Sequence, residues 1–269
     1  MLTILFIAFL LATIGTRLWL ASRQLRHVVS HRATVPAEFA SRIGLPSHQR
    51  AADYTAAKVR LGMIELVFDA AVLVGLTLLG GLQLIDLWVS TLTTHDLLRQ
   101  VLLIMAVISL LGLLGLPFSI YRQFKLEAQF GFNRMTPKLF VADSIKGIVI
   151  GAALGLPLIA AVLWLMAEAG DFWWVWAWGL WSTFNLLVLF IFPTWIAPLF
   201  NKFTPLEDQS LALQIQALAQ RCGFSLNGLF VMDGSKRSAH GNAYFTGFGR
   251  ARRIVFFDTL LARLSADEI

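Results

Sequence analysis

Five stretches of this chain, Leu2 to Leu20, Leu61 to Ile85, Val101 to Ile120, Gly147 to Ala167 and Phe172 to Ile196, are apolar over close to the width of a bilayer core. A hydrocarbon layer of about 30 Å takes about twenty helical residues, and inside it only a helix or a closed barrel satisfies its own backbone. Apolar residues make up 57% of the chain, and the mean hydropathy is +0.70. The expected fold is therefore an all-α polytopic membrane bundle of five transmembrane helices, residues 1–200, followed by a short α+β segment, residues 201–269.

Charge placement orients the bundle. Arg23, Arg26, Arg32, Arg42, Arg50, Lys58 and Arg60 lie between the first two runs, and Arg122, Lys125, Arg134 and Lys138 between the third and fourth. The alternate loops carry Arg99 with Asp86 and Asp96, then only Glu168 and Asp171. Lys and Arg accumulate on the cytoplasmic side, so the expected N-terminus is outside and the C-terminal segment cytoplasmic. A net charge of +6 dispersed in this way sets topology and does not form a nucleic-acid surface. The first run does not read as a cleavable leader, because its first cation, Arg17, lies at the wrong end of the apolar run. Cys222 is the only cysteine, which rules out an intrachain disulfide.

Local signals punctuate the rest. Ser22 to Arg60 reads as a long loop broken by Pro36 and Pro46. Gly147, Gly151 and Gly155 recur every fourth residue, a stripe over which a second helix could approach closely. Trp173, Trp174, Trp176, Trp178 and Trp181 suit a headgroup-level aromatic belt, and Pro193 and Pro198 are expected to end the fifth span. A helix is expected over Glu207 to Arg221, stopped by Gly223. Alternating patterns then predict strands at Gly228 to Asp233, Asn242 to Phe248 and Arg253 to Phe257, and Asp258 is placed to cap a helical stretch to Leu264. Ser265 and Glu268 have the spacing of a capping box, announcing a further helix.

Several groupings could carry chemistry. Glu65 and Asp69, and Asp143 and Lys146, are ionisable pairs near span ends, where pairing with neighbouring charges is the simpler account. His27 and His31 share a helix face, but Val28 stands where a metalloprotease needs its Glu, and no third ligand is evident. Ser235, Ser238 and His240 crowd one turn without a carboxylate of predictable position, so no triad is expected. Gly241, Gly247 and Gly249 do not open a helix and so form no phosphate loop.

Three strings carry a family resemblance: Leu116-Pro-Phe-Ser-Ile-Tyr through Phe130-Gly-Phe-Asn-Arg-Met-Thr to Lys138-Leu-Phe, Ile196-Ala-Pro-Leu-Phe-Asn-Lys-Phe-Thr-Pro-Leu206, and Val231 to Leu261. With them the chain resembles the type-1 CAAX prenyl protease family, integral-membrane zinc metalloendopeptidases. The resemblance implies seven spans around a water-filled chamber and a zinc site built from an H-E-x-x-H helix plus a later Glu. No His is followed by Glu anywhere in the sequence. The α+β segment is accordingly expected to be the incomplete start of a zinc-metalloprotease domain, and the chain an N-terminal part, inert by itself. Zinc is expected for the full-length family member and none for this chain. By the same resemblance Asn242, Ala243 and Tyr244 belong to a strand that pairs with an extended peptide or protein substrate, Asn242 foremost. The other readings are a non-catalytic membrane scaffold or peptide-binding module gripping peptides through the same strand, and a small transporter using Glu65, Asp69, Asp143 and Lys146. The compact loops point to a bacterial inner membrane.

Overall fold

In unit 1, Met1–Phe130, the helices run well beyond their apolar cores. A computed structural model of the chain describes residues 1–224, 226–247 and 252–269, in two compact units. Helix α1 covers Leu2–Ser30 and α2 covers Leu45–Thr77, so the expected Ser22 to Arg60 loop contracts to about residues 31–44. Pro46, read as a break, lies instead in the first turn of α2, where its missing N–H has no helical partner to lose. Arg32 clamps α1 to α2 through two bonds to Asp53, at 2.7 and 2.8 Å.

The second apolar run is not one straight helix. After α2 the chain turns by 55° into α3, Gly81–Ser90. Gly80 takes a left-handed φ of 82°, and a Cβ on Gly81 would lie 2.8 Å from the Gly75 carbonyl oxygen. Only glycine accommodates both demands. Helix α4, Asp96–Tyr121, carries Pro117 and passes into a π turn, Arg122–Leu126, and a short α5, Glu127–Gln129.

Unit 2, Gly131–Ile269, begins with α6, Pro137–Glu168, capped by the Thr136 hydroxyl, which accepts the Leu139 N–H at 3.2 Å. Helix α6 packs on α7, Trp173–Ile191. Among the described residues no helix approaches closely over the glycine stripe: a Cβ on Gly147, Gly151 or Gly155 would meet nothing within 4 Å. Nor do the prolines end the fifth span. Pro193 lies in a second π turn, Phe192–Ile196, and Pro198 in the first turn of α8, Ala197–Phe200, so the helical rod continues to residue 200. Four helical rods, Leu2–Ser30, Asp96–Gln129, Pro137–Glu168 and Gly170–Phe200, are long and apolar enough to cross a membrane, with the bent α2 and α3 pair as a fifth if counted as one span.

After residue 200 the period changes. Strand β1, Phe203–Pro205, which carries no alternating pattern of its own, pairs antiparallel with β2, Gly228–Met232. Helix α9, Gln209–Arg221, starts on an Asp208 cap, whose Oδ1 accepts the Leu211 N–H at 3.0 Å, and stops before Gly223 at φ 66°. Strands β3, Ala243–Thr246, and β4, Arg253–Phe257, complete a sheet ordered β1-β2-β4-β3, with β2 and β4 parallel. The expected strand end at Phe248, and Gly249, lie outside the described residues. Leu229, Ile254 and Phe256 form the sheet's core, packed by Ala212 and Ile215 of α9 and by Leu260 and Leu261. Helix α10 is Asp258–Leu261, shorter than the expected stretch to Leu264. At Ser265 only one arm of the capping box is made: Glu268 accepts the Ser265 N–H at 2.9 Å and the Ser265 hydroxyl at 3.0 Å.

Candidate functional site

Strand β3 lies at the edge of the sheet, with β4 on one side and no other strand on its far side among the described residues. The Phe257 N–H donates to the Asn242 carbonyl at 2.9 Å, so these two residues face each other as a hydrogen-bonded pair. Antiparallel alternation then bonds Tyr244 to Val255 and Thr246 to Arg253, and turns the main-chain groups of Ala243 and Phe245 outward. The Asn242 side chain governs the first of these positions: its Oδ1 accepts the Ala243 N–H at 2.9 Å. Asn242 and Ala243 are both exposed. Tyr244 is half-buried against Phe257, and burial raises its phenol pKa above the ordinary value while Arg253 opposes the shift. Phe245 is 67% exposed and meets Phe224 edge to face at 5.4 Å.

The loop feeding β3 is pinned at several points. Arg237 donates through Nε to Asp143 at 2.8 Å, through Nη1 to Asn201 at 2.8 Å and through Nη2 to the Phe200 carbonyl at 2.6 Å. The His240 ring stacks on Phe132 at 4.1 Å, and its carbonyl accepts the Thr259 hydroxyl at 2.8 Å. An isolated bridge joins Asn133 to Ser238. Sequence reasoning did not single out Arg237 or Asp258 as anchors. One cation among several in a polar turn gives no periodic signal, and only its distant partners mark it.

Ser235, Ser238 and His240 do not assemble. Ser235 gives its hydroxyl to Asp258, whose Oδ1 also accepts the Ser235 N–H at 2.8 Å, while Ser238 accepts the His240 N–H at 3.2 Å. The ionisable pairs near span ends resolve into separate contacts. Glu65 pairs with Arg122, not with Lys58 or Arg60; Asp143 pairs with Arg237; Lys146 donates to the Leu199 carbonyl at 2.9 Å; and Asp69 is exposed. His27 and His31 have ring centroids 4.2 Å apart, but His31 Nδ1 is engaged by its own helix, at 2.8 Å from the His27 carbonyl and 3.1 Å from the Ser30 hydroxyl. Among the described residues no group of three or more His, Cys, Asp or Glu side chains is arranged to hold a metal. The residues present therefore do not fit a zinc site, and no hydrolytic step follows from them.

The chain matches two family models. The one described as CAAX prenyl protease N-terminal, five membrane helices, covers residues 24–202, and Peptidase family M48 covers residues 205–269. The CAAX prenyl protease 1 homolog of Caenorhabditis elegans is 33% identical over 267 residues, 98% of this chain and 60% of that protein. The CAAX prenyl protease 1 of Saccharomyces cerevisiae is 46% identical over 163 residues, 60% of this chain and 36% of that protein. The crystal structure of Ste24p from S. mikatae superposes with a TM-score of 0.89 at 33% identity, over 97% of this chain and 62% of that one. The chain thus spans less than two thirds of each of these relatives. They are eukaryotic, and lend no support to a bacterial origin. A match over most of the chain, reaching from the second half of α1 through the sheet, leads to one conclusion: this chain is a multi-pass membrane member of the CAAX prenyl protease family, with the M48 peptidase signature in its C-terminal segment.

Proposed function

We propose that these residues supply the membrane housing and one wall of the peptide groove of a membrane-embedded zinc metalloendopeptidase, acting on CAAX-type C-termini or on membrane-proximal chain. The observation that carries this reading is the open edge of β3. An extended peptide adds to such an edge through its main chain and needs no particular side chain, which suits a protease. Asn242 would hold a substrate carbonyl through its amide, with Ala243 and Tyr244 continuing the strand. Residues 1–200 form the membrane domain and 201–269 the start of the peptidase domain, on the cytoplasmic side. Zinc belongs to the full-length relatives. These 269 residues alone neither bind it nor hydrolyse peptides, since no His-Glu pair occurs among them.

The test is binding of an extended fluorescent peptide to the purified chain. Phe245→Pro removes an outward N–H without touching the ladder to β4, and should abolish binding; Phe245→Ala removes the ring but keeps the donor, and should retain it. Equal binding by both variants would refute the edge-pairing reading. Labelling of Cys222 by an impermeant thiol reagent from outside intact cells would refute the cytoplasmic placement. A second reading, a non-catalytic scaffold or peptide-binding module, draws on the lack of a metal-holding group among the described residues. It predicts peptide binding with biological effect and no hydrolysis in any longer form of the protein.

A further inference from the structure

Helix α1 contains no acidic residue, and beyond its apolar run it presents a basic face built from Arg23, Arg26, Gln24 and Ser30. Arg23 and Arg26 are both exposed, and neither forms an ion pair among the described residues. Arg32, a short way on, contrasts with them: it spends its charge on Asp53. That clamp, with His48 Nε2 at 3.0 Å from the His31 carbonyl, fixes the end of α1 against the start of α2. The unpaired face is therefore held in place by the paired one. Arg23, Gln24, Arg26 and Ser30 line an open groove of about 680 Å³ along the helix. The Arg23 guanidinium lies 4.8 Å from the centre of the Trp19 ring, a contact that orients it.

Depth identifies the occupant. The run from Leu2 to Leu20 rises about 27 Å, close to a full hydrocarbon thickness. Arg23 and Arg26 then lie about 5 and 9 Å past its end, within the headgroup layer, whichever leaflet that end occupies. Trp19 sits at the boundary where indole rings settle. Two guanidinium forks with the Gln24 amide beside them match the oxygens of a phosphate, while the Ser30 hydroxyl is held by the His27 carbonyl at 3.0 Å. We propose that this face of α1 is a binding site for the headgroup of an anionic phospholipid, held by Arg23 and Arg26.

The full chain, purified in a neutral detergent, is equilibrated with equal amounts of phosphatidylglycerol and phosphatidylcholine, and retained lipid is counted by native mass spectrometry. A preference of about thirtyfold for phosphatidylglycerol is expected, since two cations near an anionic lipid surface each contribute on the order of 1 kcal/mol. In R23Q/R26Q the preference falls to near parity. In R42Q/R134Q, which removes the same charge elsewhere, it stays. An R23K/R26K variant keeps the charge without the fork and retains an intermediate preference, which also separates loss of the site from loss of the fold. Wild-type parity between the two lipids, or an equal loss in R42Q/R134Q, overturns the proposal. So does displacement of the lipid by inorganic phosphate at matched concentration, which would make this a site for the free anion.

Discussion

Arg237 and Asp143, 94 residues apart in sequence, meet at 2.8 Å with side chains only 19% and 14% exposed. The second carboxylate oxygen of Asp143 is buried and makes no hydrogen bond to protein. Arg237 is thus the chief partner of a largely buried carboxylate, and through Asn201 and the Phe200 carbonyl it ties the loop before β3 to the end of the α7 to α8 rod.

Replacing Arg237 by Ala strands that carboxylate and should destabilise unit 2 by about 3 kcal/mol, the low end for a broken buried pair because some exposure remains. Arg237→Lys keeps the charge but cannot reach three acceptors, and should fall between the two. Hydrogen exchange at residues 234–246 reads both; unchanged protection in R237A would show that the clamp does not hold the strand.

Asn242 offers a cleaner separation of roles. Asn242→Asp keeps an oxygen for the Ala243 N–H but loses the amide donor, so the strand should stay formed while peptide binding weakens about fivefold, the worth of one neutral hydrogen bond of about 1 kcal/mol. Asn242→Ala should lose both. Peptide anisotropy measured beside the exchange rate of the Ala243 amide distinguishes them.

Glu268 supplies a pH dependence. The Ser265 N–H, and then its hydroxyl, hold the Glu268 carboxyl below the ordinary carboxylate value. A depressed carboxylate favours the folded arrangement above its unfolded pKa, and that preference is lost as pH falls through the lower folded value. The local turn at residues 265–268 should therefore loosen in acid, below about pH 4.5. Ser265→Ala removes the lesser contribution, and should return the Glu268 titration only part of the way, as carboxyl chemical shifts would report.

The bend between α2 and α3 should resist substitution. Gly80→Ala forces a side chain into a left-handed backbone, at about 1 to 2 kcal/mol. Gly81→Ala should cost more, since backbone rather than a mobile side chain stands in the way. Thermal unfolding of the two variants against Gly75→Ala, where a Cβ would meet nothing within 4 Å, gives the comparison.

Apolar length and the placement of cations made the membrane bundle legible in the sequence, because a bilayer imposes both on any chain that crosses it. The helix stop at Gly223 was equally legible, because the signal is a residue type at a fixed offset, whereas the Asp208 cap was not: the helix was expected from Glu207 and starts at Gln209. What escaped was decided by the backbone or by distant partners. Gly80-Gly81 reads as two small residues inside an apolar run until φ is known, and Pro193 reads as a stop until a π turn absorbs it. Strand β1 forms because β2 recruits it, and its three residues are too few to show a period. At the candidate site the Asn242 strand was visible in its alternating pattern, whereas its anchoring by Arg237, Phe132 and Asp258 depends on contacts that no local pattern encodes.

The π turn at Arg122–Leu126 sets which side chains of its helix reach α2. Arg122 meets Glu65, and Glu127 accepts the Tyr54 hydroxyl at 2.7 Å. In an unbroken α-helix two residues five apart point about 140° away from each other. Here the Glu127 N–H bonds back to the Arg122 carbonyl, a wider ring that stacks the two side chains on one side of the rod. Excising a single residue between them would restore the regular winding and rotate one of the two out of reach, so the count of residues in that short segment is itself a structural constant of the protein.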